Sequence, residues 1–357
     1  MSEASTPDLL QLPCAHGVPA GTGRLRVAPE DFVVREWLGF EADGEGDHWL
    51  LKVRKRGANT HWVAKQLGRL AQIHPRDVGF AGLKDRNAVT EQSFTLPVRS
   101  AVGSEWLGVT GEGFEVIDAV RHRRKLKRGA LRANDFQIVI REFSGDAAAL
   151  EVRIAAIAAQ GVPNYFGPQR FGIEGGNLVR ARRWFSGEIE VHDRFERGFA
   201  MSAARAAIFN AVLARRVKDG TWNRIQAGDV ANLSGSNSVF GVDAIDETLT
   251  QRCDLLDIHP TGPMWGKEPS SAQGAISALE QSIAAEHPEL ATGLERAGLE
   301  TQRRALRLPV GDLKWTLAGD QLSLSFRLSR GAFATAVLHE LLGNAFSQGG
   351  LAEQEEE

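Results

Sequence analysis

Gly79-Phe80-Ala81-Gly82-Leu83-Lys84-Asp85-Arg86-Asn87-Ala88-Val89-Thr90-Glu91-Gln92 is the stretch on which the reading of this chain turns. A short apolar segment with two glycines delivers a Lys-Asp pair into a polar turn. Such a turn can hold a carboxylate on the floor of a cleft, and the neighbouring cations Lys84 and Arg86 favour its ionised form. An ionised carboxylate is a nucleophile toward a sugar carbon, or a base. Gly79 and Gly82 allow close approach of backbone or ligand. A plain surface turn with a local ion pair is the competing reading of the same residues.

Upstream, Arg24–Val27, Asp31–Trp37 and His48–Val53 read as strands, the first two separated by the turn at Pro29. Asn59-Thr60 caps a helix whose apolar residues Trp62, Val63, Leu67, Leu70 and Ile73 recur at helical spacing. Downstream, Ser93–Val98, Phe136–Ile140 and Gln321–Leu328 read as strands. Ala147–Ala159, Ala200–Val217 and Phe333–Leu342 read as helices, residues 219–272 as loop-rich, and Ala272–Arg307 as helical.

A second informative stretch is basic. Six of the eight positions from Arg121 to Arg128 are Arg or Lys, followed by Asn134-Asp135-Phe136. Dense cations neutralise phosphates and release counterions. An Asn can read a base edge and a Phe can stack on a base. A solvated charge run leading into a strand with a core Phe is the plain alternative. Pro29-Glu30-Asp31-Phe32 enters a strand, where Phe32 fits a core position. Asn164-Tyr165-Phe166-Gly167-Pro168-Gln169-Arg170-Phe171-Gly172 could stack and bind phosphate, or form a rigid loop at a domain junction. Phe333 opens a helix, where a core or staple role is common.

Composition narrows the classes. The chain has 357 residues, about two domains' worth. Hydrophobic residues at 43% and charged residues at 24% are an ordinary globular mix. No apolar run approaches the roughly 18 residues of a membrane helix, and the first ten residues do not read as a secretory signal. Cys14 and Cys253 lie far apart without metal-ligand spacing, which points to a reducing cytoplasm and no metal site. The net charge of −3 hides its distribution: without the four glutamates of Glu353–Glu357 the body carries 42 basic against 41 acidic residues. P-loop, dinucleotide-binding and serine-hydrolase signatures are absent.

Together these motifs resemble the TruD family of tRNA pseudouridine synthases. Gly82-x-Lys84-Asp85-x-x-Ala88-x-Thr90-x-Gln92 is similar to its catalytic signature. Pro29–Phe32, His122-x-Arg124-Lys125-Leu126-Lys127, Asn164–Gly172 and Gly331–Thr335 are similar to its other characteristic stretches. One departure is Ala133, where the family often has Gly. The resemblance implies an α+β fold: a pseudouridine-synthase catalytic domain of mixed, mostly antiparallel sheet with helices, built from 1–159 plus 308–357, and an inserted α/β TRUD domain at 160–307. It implies isomerisation of uridine to pseudouridine at position 13 of tRNA, without cofactor, membrane or obligate protein partner. The family's catalytic aspartate falls on Asp85, with Lys84 holding it ionised and oriented, and its substrate contacts fall on Phe32, Asn134 and Phe333, with Phe136 nearby. Arg121, Arg123, Arg124, Lys125, Lys127 and Arg128 are then expected on the tRNA backbone. A non-catalytic RNA-binding protein and a carboxylate-dependent glycosidase are the rivals. The glycosidase needs a second carboxylate, for which Glu91 is the nearby candidate.

Overall fold

A computed structural model of the chain describes residues 11–99, 105–343 and 346–348; the acidic tail lies outside them. The chain forms two compact units. One, built on a large sheet, comprises the described residues of 20–150 and 311–332 and the last strand; the other, mainly helical, comprises those of 11–19, 151–310 and 333–343. The stretch 160–307, expected as an insertion, lies wholly within the helical unit, which also takes in the flanking segments 151–159 and 308–310 and the helix after Phe333.

The sheet unit begins with β1 (Gly21–Leu25), β2 (Phe32–Trp37), β3 (His48–Arg56), α1 (Thr60–Leu70), β4 (Gly79–Phe80), β5 (Val89–Pro97), β6 (Thr110–Gly111), β7 (Phe114–His122) and β8 (Ala133–Gly145). The helical unit follows with α2 (Ala147–Gln160), β9 (Val162–Pro163), α3 (Gly176–Phe185), α4 (Arg194–Lys218), β10 (Val230–Leu233), β11 (Val239–Gly241), α5 (Glu247–Asp254), β12 (Ile258–Met264), α6 (Gly274–Glu286), α7 (Pro288–Arg296), β13 (Gln302–Ala305) and β14 (Arg307–Leu308). The chain then returns to the sheet with β15 (Gly311–Ala318) and β16 (Gln321–Ser329), adds α8 (Ala334–Leu342) to the helical unit, and ends its described part with β17 (Phe346–Gln348).

The large sheet runs β15-β16-β8-β2-β5-β3-β7-β6, with β1 on β8, β4 on β5 and β17 on β1. Only β2–β5 and β1–β17 pair in parallel among the described strands. The register aligns Phe32 with Ile138, Val34 with Phe136 and Glu36 with Asn134 across β2 and β8, and Val34 with Thr90 across β2 and β5. Phe32, Glu36, Thr90, Asn134 and Phe136 therefore share one face, because side chains alternate along a strand. Further along the sheet, α1 packs Val63 and Leu67 against Leu51, Val53, Phe94 and Leu96. Asn59 caps it as the sequence implies, its side-chain oxygen accepting the Trp62 N–H at 2.7 Å.

In the helical unit, alanines line the buried side of α4 (Ala200, Ala203, Ala204, Ala207) and let α3 and α7 approach it closely. Here the sequence reading needs correction. The loop-rich stretch 219–272 contains the helix α5 and the strands β10, β11 and β12, and these three strands with β13 form a four-stranded antiparallel sheet. The helical stretch expected over Ala272–Arg307 ends with α7 at Arg296, capped by Ala297 before Gly298 takes φ +72°; residues beyond it pair with β12 and β9 as β13 and β14. The first strand, expected at Arg24–Val27, is Gly21–Leu25, since Arg26 turns out of it with φ +54°.

Candidate active site

The decisive turn is fastened to the sheet by side chains beneath it. The Thr60 hydroxyl accepts the Lys84 N–H at 3.0 Å and donates to Gln92 Oε1 at 3.0 Å. The Gln92 amide in turn donates to the Gly82 carbonyl. Lys55 sits at an inward position of β3, in phase with Leu51 and Val53, and is 1% exposed. Its ammonium donates to the carbonyls of Ala58 (2.7 Å), Lys84 (3.1 Å) and Asp85 (2.7 Å). A buried charge is tolerable only when hydrogen-bonded; here the bonds fix the backbone on both sides of the Asp85 amide. Gly79 is required for packing: a Cβ there would meet Thr95 Oγ1 at 2.4 Å and the Leu126 carbonyl at 2.6 Å. Gly82 is under less constraint, its nearest neighbour being Leu131 at 3.2 Å.

The Asp85 side chain, 30% exposed, pairs with Arg26, whose Nη2 lies 2.7 Å from Oδ2. Its other oxygen accepts the Asn87 N–H at 2.9 Å. Arg26 lies over the Phe32 ring at 4.4 Å, and Phe32 meets Phe136 edge-on at 6.1 Å. Phe136 stacks on Phe326 at 5.3 Å. A carboxylate is thus joined through one guanidinium to an aromatic ladder. Asn134 lies across the register from Glu36, and its Oδ1 is buried without a hydrogen-bond partner, as is the Thr90 hydroxyl on the same face. Phe32 is held in place by its neighbour: Arg141 grips the Asp31 carboxylate with contacts of 2.7–3.0 Å. Burial alone would raise the proton affinity of Asp31, but the bonds from Arg141 outweigh it and hold the carboxyl below its usual range.

Two expectations change. Lys84 does not pair with Asp85. Its ammonium lies 2.9 Å from Glu36 Oε1, with side chains 7% and 0% exposed, and the other Glu36 oxygen accepts the Ser93 N–H at 3.0 Å. Arg26 is the cation on Asp85, and Arg86 donates to the Gly57 carbonyl at 3.2 Å. Glu91 points to the opposite face from Thr90 and Gln92, where Arg54 (3.0 Å) and Arg35 (3.4 Å) neutralise it. It is not a second carboxylate beside Asp85.

The sheet unit brings together Asp85, Lys84, Phe32, Asn134 and Phe136. Phe333 belongs to the helical unit, where it precedes α8, packs against Phe166 at 6.1 Å and lies under Arg170 at 5.7 Å. The basic run divides. Arg121 donates to the Gly46 carbonyl, Arg123 pairs with Glu45, Lys125 donates to the Arg76 carbonyl at 2.7 Å, and Arg128 covers Phe80 at 4.0 Å. Arg124 and Lys127 are exposed and make no ion pair among the described residues.

These arrangements meet a family pattern over nearly the whole chain. The family model described as "tRNA pseudouridine synthase D (TruD)" matches residues 14–182 and 185–341. The chain belongs to the tRNA pseudouridine synthase D family. It is 48% identical over 337 residues to the tRNA pseudouridine synthase D of Methylococcus capsulatus, covering 94% of this chain and 95% of that one. The corresponding protein of Nitrosococcus oceani is 44% identical over 327 residues, 91% of each chain. The fold matches a Methanosarcina mazei crystal structure described as a TruD protein, with TM-score 0.73, 21% identity and coverage of 94% and 97%. TruD enzymes are isomerases that convert uridine to pseudouridine in tRNA. Sequence reasoning missed Arg26, Glu36 and Lys55. For Lys55 a signal existed: a lysine continuing the buried phase of Leu51 and Val53. For Arg26 and Glu36, partners of loop residues distant in sequence, no local signal existed.

Proposed function

We propose that this chain converts uridine to pseudouridine at position 13 of tRNA, with Asp85 acting on the ribose of a nucleotide turned out of the stack. The observation that carries the reading is the 2.7 Å Asp85–Arg26 pair seated over the Phe32–Phe136–Phe326 ladder. A stacked base is unreachable, so it must be extruded, at a cost of a few kcal/mol. Stacking on an aromatic ring, worth about 1–3 kcal/mol, offsets that cost; Phe32 and Phe136 are the rings of the sheet unit assigned to it. Asn134, with its buried carbonyl oxygen unpartnered, hydrogen-bonds the uracil or ribose.

Asp85 then attacks C1′, displacing N1 of uracil, or removes the C2′ proton to give a glycal. Either way the C1′–N1 bond breaks and uracil rotates while caged; a C1′–C5 bond then forms as the Asp85–C1′ ester breaks, or as the Asp85 carboxyl returns its proton to C2′, and the C5 proton is lost as N1 gains one. Both routes require an anionic carboxylate aimed at the sugar, which Arg26 and the Asn87 N–H supply by holding one oxygen each. Lys84 and Glu36 serve as a buried strut under the turn. In this reading the sheet unit carries the chemistry in a reducing cytoplasm, and 160–307 is the inserted domain.

Incubation of the purified protein with uridine-labelled tRNA, followed by digestion, chromatography and primer-extension mapping, tests it. Pseudouridine at position 13 is expected. Binding without product leaves an RNA-binding protein, and release of free uracil leaves a glycosidase; either result overturns the proposal.

A further inference from the structure

In the helical unit, two arginines share one aromatic ring. Arg304, on β13, lies over Phe166 at 4.2 Å, and Arg170, in the turn after Phe166, lies over the same ring at 5.2 Å. Arg170 also lies over Phe333 at 5.7 Å. The ring is rigidly placed: the Asn210 side chain accepts the Phe166 N–H and donates to its carbonyl, each at 2.9 Å. Gly167 follows in contact with Thr335, whose Oγ1 would lie 2.6 Å from any Cβ there.

The two guanidiniums are only partly satisfied. Arg170 donates to Ser202 Oγ at 2.9 Å, and Arg304 donates to Asn164 Oδ1 at 2.6 Å. The Arg304 Nε is buried with no partner, and neither arginine makes an ion pair with an acidic side chain among the described residues. Burial pushes Arg304 down to about 10, and the positive charge of Arg170 adds to the effect; burial also lowers Arg170. Two like charges, each only partly open to water and one with an orphaned donor, repel each other with no acid among the described residues to balance them. Contact with the Phe166 ring compensates only in part. Of the buried arginines of this unit, Arg216 pairs with Asp229 at 2.9 Å and Arg303 with Glu280 at 2.8 Å, while Arg307 has no acid but gives its N–H groups to His259 and to the carbonyls of Cys253 and Ile258. Among the described residues, Arg170 and Arg304 have neither an acid nor such a set of acceptors. An anion is the missing partner, and paired guanidinium forks match the oxygens of a phosphate.

We propose that Arg170 and Arg304, on the ring of Phe166 and beside Phe333, form a receptor for one phosphodiester of the RNA substrate. The inference rests on the synthase reading and deepens it, since it gives the helical unit a direct grip on the strand. Phosphate oxygens take the N–H groups of both arginines that remain open to solvent, and the nucleoside beside that phosphate lies near Phe333.

The test uses the full-length protein and a set of tRNAs each carrying one neutral methylphosphonate in place of a phosphate near the target uridine. For the wild type, one position is expected to weaken binding roughly tenfold. For Arg170→Gln and the Arg170→Gln/Arg304→Gln pair, that position is expected to bind no worse than unmodified tRNA. The slope of log affinity against log salt is expected to fall by about 0.7–0.9, one phosphate's worth. Arg170→Gln removes a repelled charge, so its thermal midpoint is expected to equal or exceed that of the wild type; it carries the test alone if Arg304→Gln does not fold. No position whose penalty vanishes in Arg170→Gln, or an unchanged salt slope, overturns the phosphate receptor. Wild-type pseudouridine formation on the unmodified tRNA is read in the same series. Its absence removes the synthase reading, whereas product without coupling removes only the receptor.

Discussion

A single carboxylate with one cation makes residue-level predictions sharp. Asp85→Asn keeps the shape of the turn and its Asn87 N–H contact but removes the charge; it is expected to abolish pseudouridine while leaving tRNA affinity nearly unchanged, as chromatographed digests and binding titrations would report. Product from this variant would show that another group carries the chemistry. Arg26 adopts φ +54°, a region that costs a non-glycine residue of order 1 kcal/mol or more. That strain aims its guanidinium at Asp85 and lays it over Phe32. Arg26→Met is expected to lower kcat roughly 100-fold, as loss of orientation does. Arg26→Lys should recover part of it, keeping the charge but losing the planar stack; equal activity in both variants would show that the cation is irrelevant. Lys55→Met fits the space but orphans the carbonyls of Ala58, Lys84 and Asp85. A loss of about 3 kcal/mol in denaturant unfolding is expected, together with a fall in kcat larger than any change in KM.

Secondary-structure elements show where local sequence informs and where it cannot. The α1 cap at Asn59, strands β2, β3 and β16, and helix α8 were legible because an N-cap or a clear alternation is written in consecutive residues. The Asp85 turn was legible as a candidate for the same reason. The strands β10 to β13 were not, because short strands with polar residues such as Gln302–Ala305 gain their stability only from β12 beside them. Lys84 was misassigned because adjacency in sequence says nothing of reach: successive side chains diverge, and Glu36 was waiting 2.9 Å away on another strand. One consequence at this scale concerns β12. His259 is buried there, accepts from Arg307 Nε through Nδ1 at 3.0 Å, and lies 3.2 Å from Ser234 Oγ. Burial, reinforced by the Arg307 charge, pushes its pKa from 6.5 down to about 3. The folded state keeps this imidazole neutral while the unfolded chain protonates it below about 6.5. The unfolded state therefore binds more protons, and stability contributed by this site is complete above pH 6.5 and declines as pH falls toward 3. His259→Asn keeps an acceptor for Arg307 without titrating. Thermal midpoints taken between pH 7 and 4 should fall less for this variant than for the wild type; parallel curves would remove His259 from the acid response.

At the scale of the whole molecule, a net charge of −3 gives no sign of an RNA partner, and the count of cations in the basic run overstates it. Arg123 is neutralised by Glu45, and Arg121 and Lys125 donate to backbone carbonyls. An arginine already paired with a carboxylate releases few counterions on meeting a phosphate, because its charge is balanced before binding. Arg124, Lys125, Lys127 and Arg128 are exposed without an ion pair among the described residues and keep their charge, since a carbonyl or a ring does not neutralise it. Arg124 and Lys127 differ in having no such hydrogen bond or ring contact among the described residues to give up before meeting a phosphate. If each meets one phosphate, Arg124→Gln/Lys127→Gln should reduce the slope of log affinity against log salt by up to about 1.8, weakening all tRNAs alike because backbone contacts carry no sequence information. Arg123→Gln should leave the slope nearly unchanged and weaken binding only by exposing Glu45. Titrations between roughly 50 and 200 mM salt separate these cases. A slope that responds to Arg123 and ignores Arg124 and Lys127 would mean that the ion pair opens on binding, and that the run acts through induced rearrangement instead of through charge already free.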